Sequence, residues 1–299
     1  MDLVLMPFLE AMVRTATPLA FAALGELVTE RSGVINIGLE GAIIAGCLGA
    51  LVASGADSAG VGFAGAAAAG MFMTAIFAFF VVTLRTDQII TGTALTLLGL
   101  GATGTIHRLL HETGATRGLP TMASIPVPWL SEIPVIGPAL FDQKLPTYAL
   151  YAFVPLLAWW MQRTHAGLAL RATGENPEAA RAAGIATQRV RWSAILFSGL
   201  MGGLCGGTLV LAQVGSFNEG MSAGRGFIAI SIVVLGRWTA LGTASAALVF
   251  GAAFALQYTF QALAWPVPYQ AFLAFPYILT LVLLASLRGR AAAPAALGA

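Results

Sequence analysis

The chain has 299 residues, of which 58% are hydrophobic and only 9% charged, with a net charge of +2 and a mean hydropathy of +0.84. A soluble domain carries roughly 25% charged residues, so these values exclude an ordinary water-soluble fold and indicate an integral membrane protein. The small net charge gives no electrostatic footprint for nucleic acid.

A membrane-crossing helix needs about 20 apolar residues, and fewer where it is broken inside protein. The opening MDLVLMPFLEAMVR lacks a basic n-region and a small-residue cleavage site, so no removable signal peptide is expected. After this amphipathic start, with Glu10 and Arg14, residues 15–29 form a first span whose lower end carries Glu26, Glu30 and Arg31. Residues 34–53, 60–84 and 88–106 are the next three spans, the third closed by Arg85 and Asp87. Residues 107–146 are the longest non-hydrophobic piece, rich in proline and carrying Trp129. A fifth span, 146–162, ends in Trp159-Trp160, and a sixth covers 192–214. The apolar run 226–236 is short, as for a half-helix or a deeply sunk span, and 241–262 and 269–287 complete the set. The expected fold is therefore all-α and polytopic, with eight or nine transmembrane segments in one domain over 1–290 and a flexible Ala-rich tail over 291–299.

Between the fifth and sixth spans, residues 163–191 hold five of the fifteen basic residues: Arg163, Arg171, Arg181, Arg189 and Arg191. The positive-inside rule places this loop in the cytoplasm. Alternation then puts Arg31, Arg85, Arg237, Arg288 and Arg290 on the same side, and Arg108, Arg117, Lys144 and Arg225 outside. By parity the N-terminus lies outside, unless residues 1–29 are re-entrant or interfacial. The loop contains a complete short-helix signature. Asn176 is an N-cap, Pro177 suits the first helical position, Glu178 complements the positive end of the dipole, and Gly184 is a C′ residue. A polar two-turn helix between two hydrophobic segments reads as something presented to a partner.

Residues 30–41 read ERSGVINIGLEG. Asn36 and Glu40 stand four apart, which on a helix is one face, with glycines that permit close backbone approach. A carboxylate inside an apolar span must meet a partner or a wet cavity. Two readings follow for Glu40: a polar strip on a solute pathway, or a structural charge paired with an arginine of another segment. Residues 33–41 also match residues 226–234 at the glycine and two isoleucines, in segments of opposite direction, an inverted repeat to be tested. Cys47 and Cys205 lie in apolar runs without a C-x-x-C neighbour and read as small buried hydrophobes. His107 and His111 lack a third ligand, so no metal site is expected. There is no G-x-x-x-x-G-K-[ST] loop, and Lys144 is the only lysine, so the chain cannot bind ATP in that way.

Glu178-Ala179-Ala180, three residues, then Gly184 resembles the EAA loop of ABC-importer membrane subunits, although no Leu-Pro follows near Ala194 and Ile195. That departure is unlike maltose- or phosphate-type importers. Residues 30–41 resemble the ERxGxxNxGxEG signature of nucleoside and simple-sugar ABC permeases, as do Gly224 to Ile230 and Gly236-Arg237-Trp238. The chain is similar to the shorter of two paired permeases in the branched-chain amino acid, simple sugar and nucleoside branch.

The resemblance implies a bacterial inner-membrane importer subunit for a small polar solute, with nucleosides first. An ATPase would dock on Asn176, Pro177, Glu178, Ala179, Ala180, Arg181 and Gly184, and would carry the ATP and Mg. A second, longer permease, an extracytoplasmic solute-binding protein and the bilayer would be the other partners. Asn36, Glu40 and Phe227 are the expected pathway residues. The competing expectation is an ion-coupled secondary transporter using Glu26 and Glu40, which would not need a capped helix offered to the cytoplasm.

Overall fold

In the computed structural model the first helix, α1, runs without a break over Asp2–Arg31. The amphipathic start and the first span are thus one helix, despite Pro7 and Pro18. Proline lacks the N–H that would bond the carbonyl four residues back. For Pro18 that carbonyl belongs to Arg14, and the Gln213 side chain donates to it instead at 2.7 Å. The structure describes residues 2–54, 59–112, 119, 121–134, 136–262, 270, 274, 278, 281, 282 and 293–298.

The helices that follow are α2 (Leu39–Ser54), α3 (Ala59–Ala78), α4 (Gln88–Glu112), α5 (Ile136–Phe141), α6 (Leu145–Arg163), α7 (His165–Glu175), α8 (Pro177–Ala182), α9 (Thr187–Gly207), α10 (Arg225–Leu235) and α11 (Ala240–Ala262). Two widened π-helical turns extend α3 over Phe79–Thr83 and α9 over Thr208–Val214. Gly215, at φ +77°, ends the second one in the left-handed region. The all-α reading holds among the described residues apart from one two-residue antiparallel ladder in the 107–146 loop, β1 (Ile125–Pro126) on β2 (Asp142–Gln143).

Among the described residues, five helices are long and apolar enough to cross a membrane: Leu5–Arg31, Ala59–Thr83, Gln88–Leu110, Thr187–Val214 and Ala240–Thr259. The α2 and α10 helices are apolar but shorter, at 16 and 11 residues. At 1.5 Å per residue α10 is roughly 17 Å long, about half a hydrocarbon core, as expected for a half-helix. The last expected span, 269–287, lies outside the described residues except for isolated helical positions, and Arg117, Arg288 and Arg290 lie outside them altogether.

Helix α1 is the hub. It packs against α9, α10 and α11, while α2 and α3 pack on each other and on α9. Leu19, Leu24, Leu27, Leu39, Ile43, Ile44, Ile195 and Phe250 are almost fully enclosed between them. Glycines set how closely these helices approach. A Cβ on Gly46 of α2 would lie 2.7 Å from the Cα of Gly203, and one on Gly70 of α3 would lie 2.7 Å from the Gly203 nitrogen. Three backbones therefore meet around Gly203, the small-residue packing that substitutes for a hydrophobic drive between helices in lipid. Cys47 and Cys205 are unpaired and buried in the same seam, as their sequence contexts suggested.

By contrast α3 and α4 expose large apolar side chains, among them Phe72, Ile89, Ile90, Leu97, Leu98 and Leu109. Such a surface is stable against lipid or another apolar subunit, not against water. Near the C-terminal end of α4, Arg108 donates to both oxygens of Glu219 at 2.8 Å, and those hydrogen bonds hold the Glu219 carboxyl below its usual range. The pair is solvent-exposed and contributes little to stability.

Residues 293–298, within the stretch expected to be a flexible tail, do not hang free. They form a turn whose backbone bonds to Gly33 and Gly174.

Candidate docking helix and intramembrane polar cluster

The loop between the fifth and sixth expected spans is more helical than its sequence suggested. Thr164 accepts from the Gly167 N–H at 3.1 Å and starts α7, and α9 begins already at Thr187. What remains between them is α8. The Asn176 side-chain oxygen accepts from Glu178 N–H at 3.1 Å and from Ala179 N–H at 2.9 Å. Pro177 takes the first helical position. At the other end Ile185 N–H reaches the Ala180 carbonyl at 3.0 Å and Gly184 N–H reaches Arg181 at 2.9 Å. These are the two bonds of a Schellman motif, with Gly184 left-handed at φ +85°. Most end groups of this six-residue helix are thus assigned, which helps so short a helix to exist at all. Glu178, Ala179, Arg181, Ala182, Ala183 and Gly184 are exposed, and Ala180 alone is buried, at 4%.

Inward of α8 the backbone is packed hard. Gly174, near the end of α7, abuts the turn after α1, where a Cβ would lie 3.2 Å from the Gly33 nitrogen. Arg191 of α9 donates to the Ser32 carbonyl in that turn at 3.3 Å. A cavity of about 620 Å³ opens beside it, with Ile35, Arg85, Asp87, Pro177, Arg181 and Arg191 in its wall.

The turn leads directly into the polar cluster. Asn36 is not on a helix, and its expected shared face with Glu40 is not formed, because α2 starts only at Leu39. Residues 34–36 have no regular secondary structure, and the Asn36 N–H donates to the Glu26 carboxylate of α1 at 2.8 Å. The Asn36 amide also donates to the Ser198 hydroxyl of α9 at 3.3 Å. One turn along α1, Glu30 accepts from the Trp238 indole N–H at 2.5 Å, and Arg31 donates to the Trp238 carbonyl at 2.8 Å. Asn36, Glu26 and Glu30 are all within 1% of complete burial. Neither the partner of Glu26 nor the role of Trp238 followed from the sequence, although both residues stand in stretches that the sequence singles out. Spacing in one chain does not say which buried carboxylate meets which distant indole.

Glu40 is held by backbone N–H groups and not by an arginine side chain. Its two oxygens accept the Gly224 N–H at 2.8 Å and the Gly226 N–H at 2.6 Å, at the start of α10. A carboxylate here satisfies N–H groups that have no partner within the helix and meets the positive end of its dipole. Arg225 turns back to the carbonyls of Met221 and Ser222. A Cβ on Gly226 would lie 2.7 Å from the Glu40 Cα, so the two stretches of the suspected repeat are in direct contact. Phe227, one residue on, is 47% exposed. Neither Asn36 nor Glu40 lines the cavity beside α8.

The cluster therefore joins α1, α2, α9 and α10 through buried hydrogen bonds, and one oxygen each of Glu26, Glu30 and Asn36 is buried without a hydrogen-bond partner among the described residues. Among the described residues no group of three or more His, Cys, Asp or Glu is placed to hold a metal ion. Replacing Glu40 by alanine is expected to strand two buried N–H donors and to destabilise the protein by about 3 kcal/mol. Glu40→Gln, which keeps one acceptor oxygen, should lose about 1 kcal/mol. Thermal unfolding in detergent reads the difference, and equal midpoints for the two variants would contradict this role.

Comparison with known proteins gives a consistent picture. Residues 8–284 match the family described as branched-chain amino acid transport system / permease component. The chain is 35% identical to the guanosine ABC transporter permease protein NupQ of Bacillus subtilis, over 95% of this chain and 92% of that one. It is 32% identical, over the same shares, to the nucleoside ABC transporter permease protein NupC of Lactococcus lactis subsp. cremoris. A putative glucose ABC transporter permease protein of Haloferax volcanii is 35% identical over 85% of this chain and 78% of that one.

Proposed function

This chain belongs to the branched-chain amino acid transport system / permease component family, and we propose that it is the membrane subunit of an ATP-driven importer of nucleosides in a bacterial inner membrane. The observation that carries this reading is α8, a fully capped and exposed helix set on a rigid base between two membrane-buried segments. In this reading α8 docks in a groove of a separate ATPase, which holds the ATP and Mg. Closure of the ATPase pair pushes α8. Gly174 passes the push to the Gly33 turn, and the turn passes it through Asn36 to α1 and α2. Glu40 then carries it to α10. Each joint is a backbone contact or a buried hydrogen bond, the kind of contiguous and stiff connection through which movement is transmitted.

Nucleosides are favoured because the two relatives matched along most of their length are named for guanosine and nucleoside transport. The third, named for glucose, makes a simple sugar the alternative solute. The exposed apolar faces of α3 and α4 suit a second permease, with the pathway formed between the two chains. A solute-binding protein would deliver from outside. Uptake of labelled guanosine by vesicles containing both permeases, the ATPase and the binding protein tests the assignment. Transport that persists without ATP, driven by an ion gradient through this chain alone, would replace it with a secondary carrier.

We also read eight or nine crossings, with 163–191 cytoplasmic and 107–146 outside. The contact between Gly226 and Glu40 supports treating their stretches as paired halves of one inverted unit. Ala182→Cys is expected to resist an impermeant thiol reagent in intact cells, and Ser131→Cys to react. The opposite pattern would sink the topology. Cys47 and Cys205 are buried and should give little background.

A further inference from the structure

We propose that residues 294–298 form a strap that locks the docking helix to the turn after α1 and is required for movement to pass between them. The inference rests on α8 being the docking element. The segment is a tight turn, closed by the Leu297 N–H on the Pro294 carbonyl at 3.1 Å. Pro294 is buried, and Leu297 packs against the main core. Two of its N–H groups then reach out to two different parts of the fold. Ala296 N–H donates to the Gly174 carbonyl at 2.9 Å, and Gly298 N–H donates to the Gly33 carbonyl at 3.2 Å. Gly174 lies in the last turn of α7, where carbonyls lack partners in the helix itself. Gly33 is left-handed at φ +91°, and a Cβ there would stand 3.1 Å from the Ala296 carbonyl oxygen. The Ala295 N–H adds a longer contact to the Glu175 carboxylate at 3.4 Å.

The position of these acceptors is what matters. Gly174 is two residues before Asn176, the cap of α8, and Gly33 is three residues before Asn36. The strap therefore crosses a seam where the docking helix meets the membrane-buried joints. Gly298 also stands in the wall of the cavity that Pro177 and Arg181 of α8 line. Among the described residues no other backbone hydrogen bond joins Gly174 to the Gly33 turn, and without the strap only the Arg191 contact to the Ser32 carbonyl and the attraction between Arg31 and Glu175 remain beside their packing.

The test uses the complete importer in vesicles and a chain lacking residues 294–298. The expected result is normal membrane insertion, with co-purification of the ATPase and basal ATP hydrolysis within about twofold of the full chain. Transport, and the stimulation of hydrolysis by loaded binding protein, should both fall about tenfold. Ala296→Pro, which removes the donor to Gly174 and also disfavours the 294–297 turn, should fall severalfold in the same two readouts. If the deletion does not insert, this variant decides. Joining Ala295→Cys to Glu175→Cys with a short bifunctional thiol reagent should leave transport intact, because the strap stays closed throughout the cycle. Full transport by the deleted chain or by Ala296→Pro would overturn the proposal. So would loss of transport on cross-linking, which would mean that the segment must detach. Loss of the ATPase from the deleted chain would make the segment part of the docking surface instead. Failure of the underlying reading shows elsewhere, as an ATPase that binds normally to chains altered in α8 itself.

Discussion

Gly203→Leu is expected to abolish the folded protein, whereas Gly101→Leu is expected to be tolerated. Both glycines lie in helical segments, and in each the substitution gains roughly 1 kcal/mol of helix propensity. The surroundings decide the sign. A Cβ on Gly203 would meet the backbone of α3, 2.8 Å from the Ala66 carbonyl carbon and 2.9 Å from the Ala67 Cα, while Gly70 and Gly46 press on it from neighbouring helices. A backbone neighbour cannot rotate away as a side-chain tip can, so α3, α9 and α2 would all have to separate. Overpacking in a close-packed interior costs about 3 kcal/mol or more when the backbone must move. That is a large part of the total stability of a typical domain, about 5–15 kcal/mol. Around Gly101 nothing lies within 4 Å, so a leucine there projects into open space. Size-exclusion profiles and thermal midpoints in detergent should show aggregation for the first variant and a normal peak for the second. A monodisperse Gly203→Leu protein would mean that the three-helix seam is loose.

The same contrast explains how much of this protein was legible in its sequence. Features fixed by near neighbours were readable: the Asn176 cap, Pro177 and the left-handed Gly184 are all where their local chemistry puts them. Part of α7 was readable in principle, since Gly167, Leu170, Thr173 and Gly174 are buried at helical spacing and Thr164 caps the start. The density of arginines obscured it. Asn36 shows the opposite failure, where a helical spacing was present and no helix formed. Its N–H is taken by Glu26, ten residues earlier, and α2 begins only three residues further on, at Leu39. Glu40 was recognisable as a charge that needs a partner, but the partner is a pair of backbone N–H groups some 180 residues away, which carry no side-chain signature. The strap was illegible for the same reason. Alanines and glycines near the end of a chain compose a flexible segment until specific carbonyls are brought to them by the fold.

Reversing charge at Glu178 or forcing Gly184 out of its left-handed conformation is expected to stop transport while leaving the protein folded. Glu178→Lys puts a cation at the positive end of α8, which costs about 0.3–1 kcal/mol at an exposed site. Gly184→Val meets no neighbour, since nothing lies within 4 Å of the Cβ position, so its cost is only the strain of a β-branched residue at φ +85°. That strain is about 1–2 kcal/mol and is relieved if the chain leaves the left-handed region. Neither cost unfolds a membrane domain whose core lies elsewhere. Relief at Gly184, however, breaks the bonds from Ile185 to Ala180 and from Gly184 to Arg181, and so re-aims the exposed face of α8. Both variants should therefore reach the membrane in normal amounts and lose the ATPase on purification by tenfold or more. Uptake and solute-stimulated ATP hydrolysis should fall together, because a docking defect removes both, whereas a defect in the strap spares the ATPase contact. Asn176→Ala, which removes two capping bonds worth about 1 kcal/mol, should fall between these variants and the unaltered chain. Normal uptake by either Glu178→Lys or Gly184→Val, at normal membrane levels, would show that α8 is a capped surface turn and that the ATPase grips this protein somewhere else.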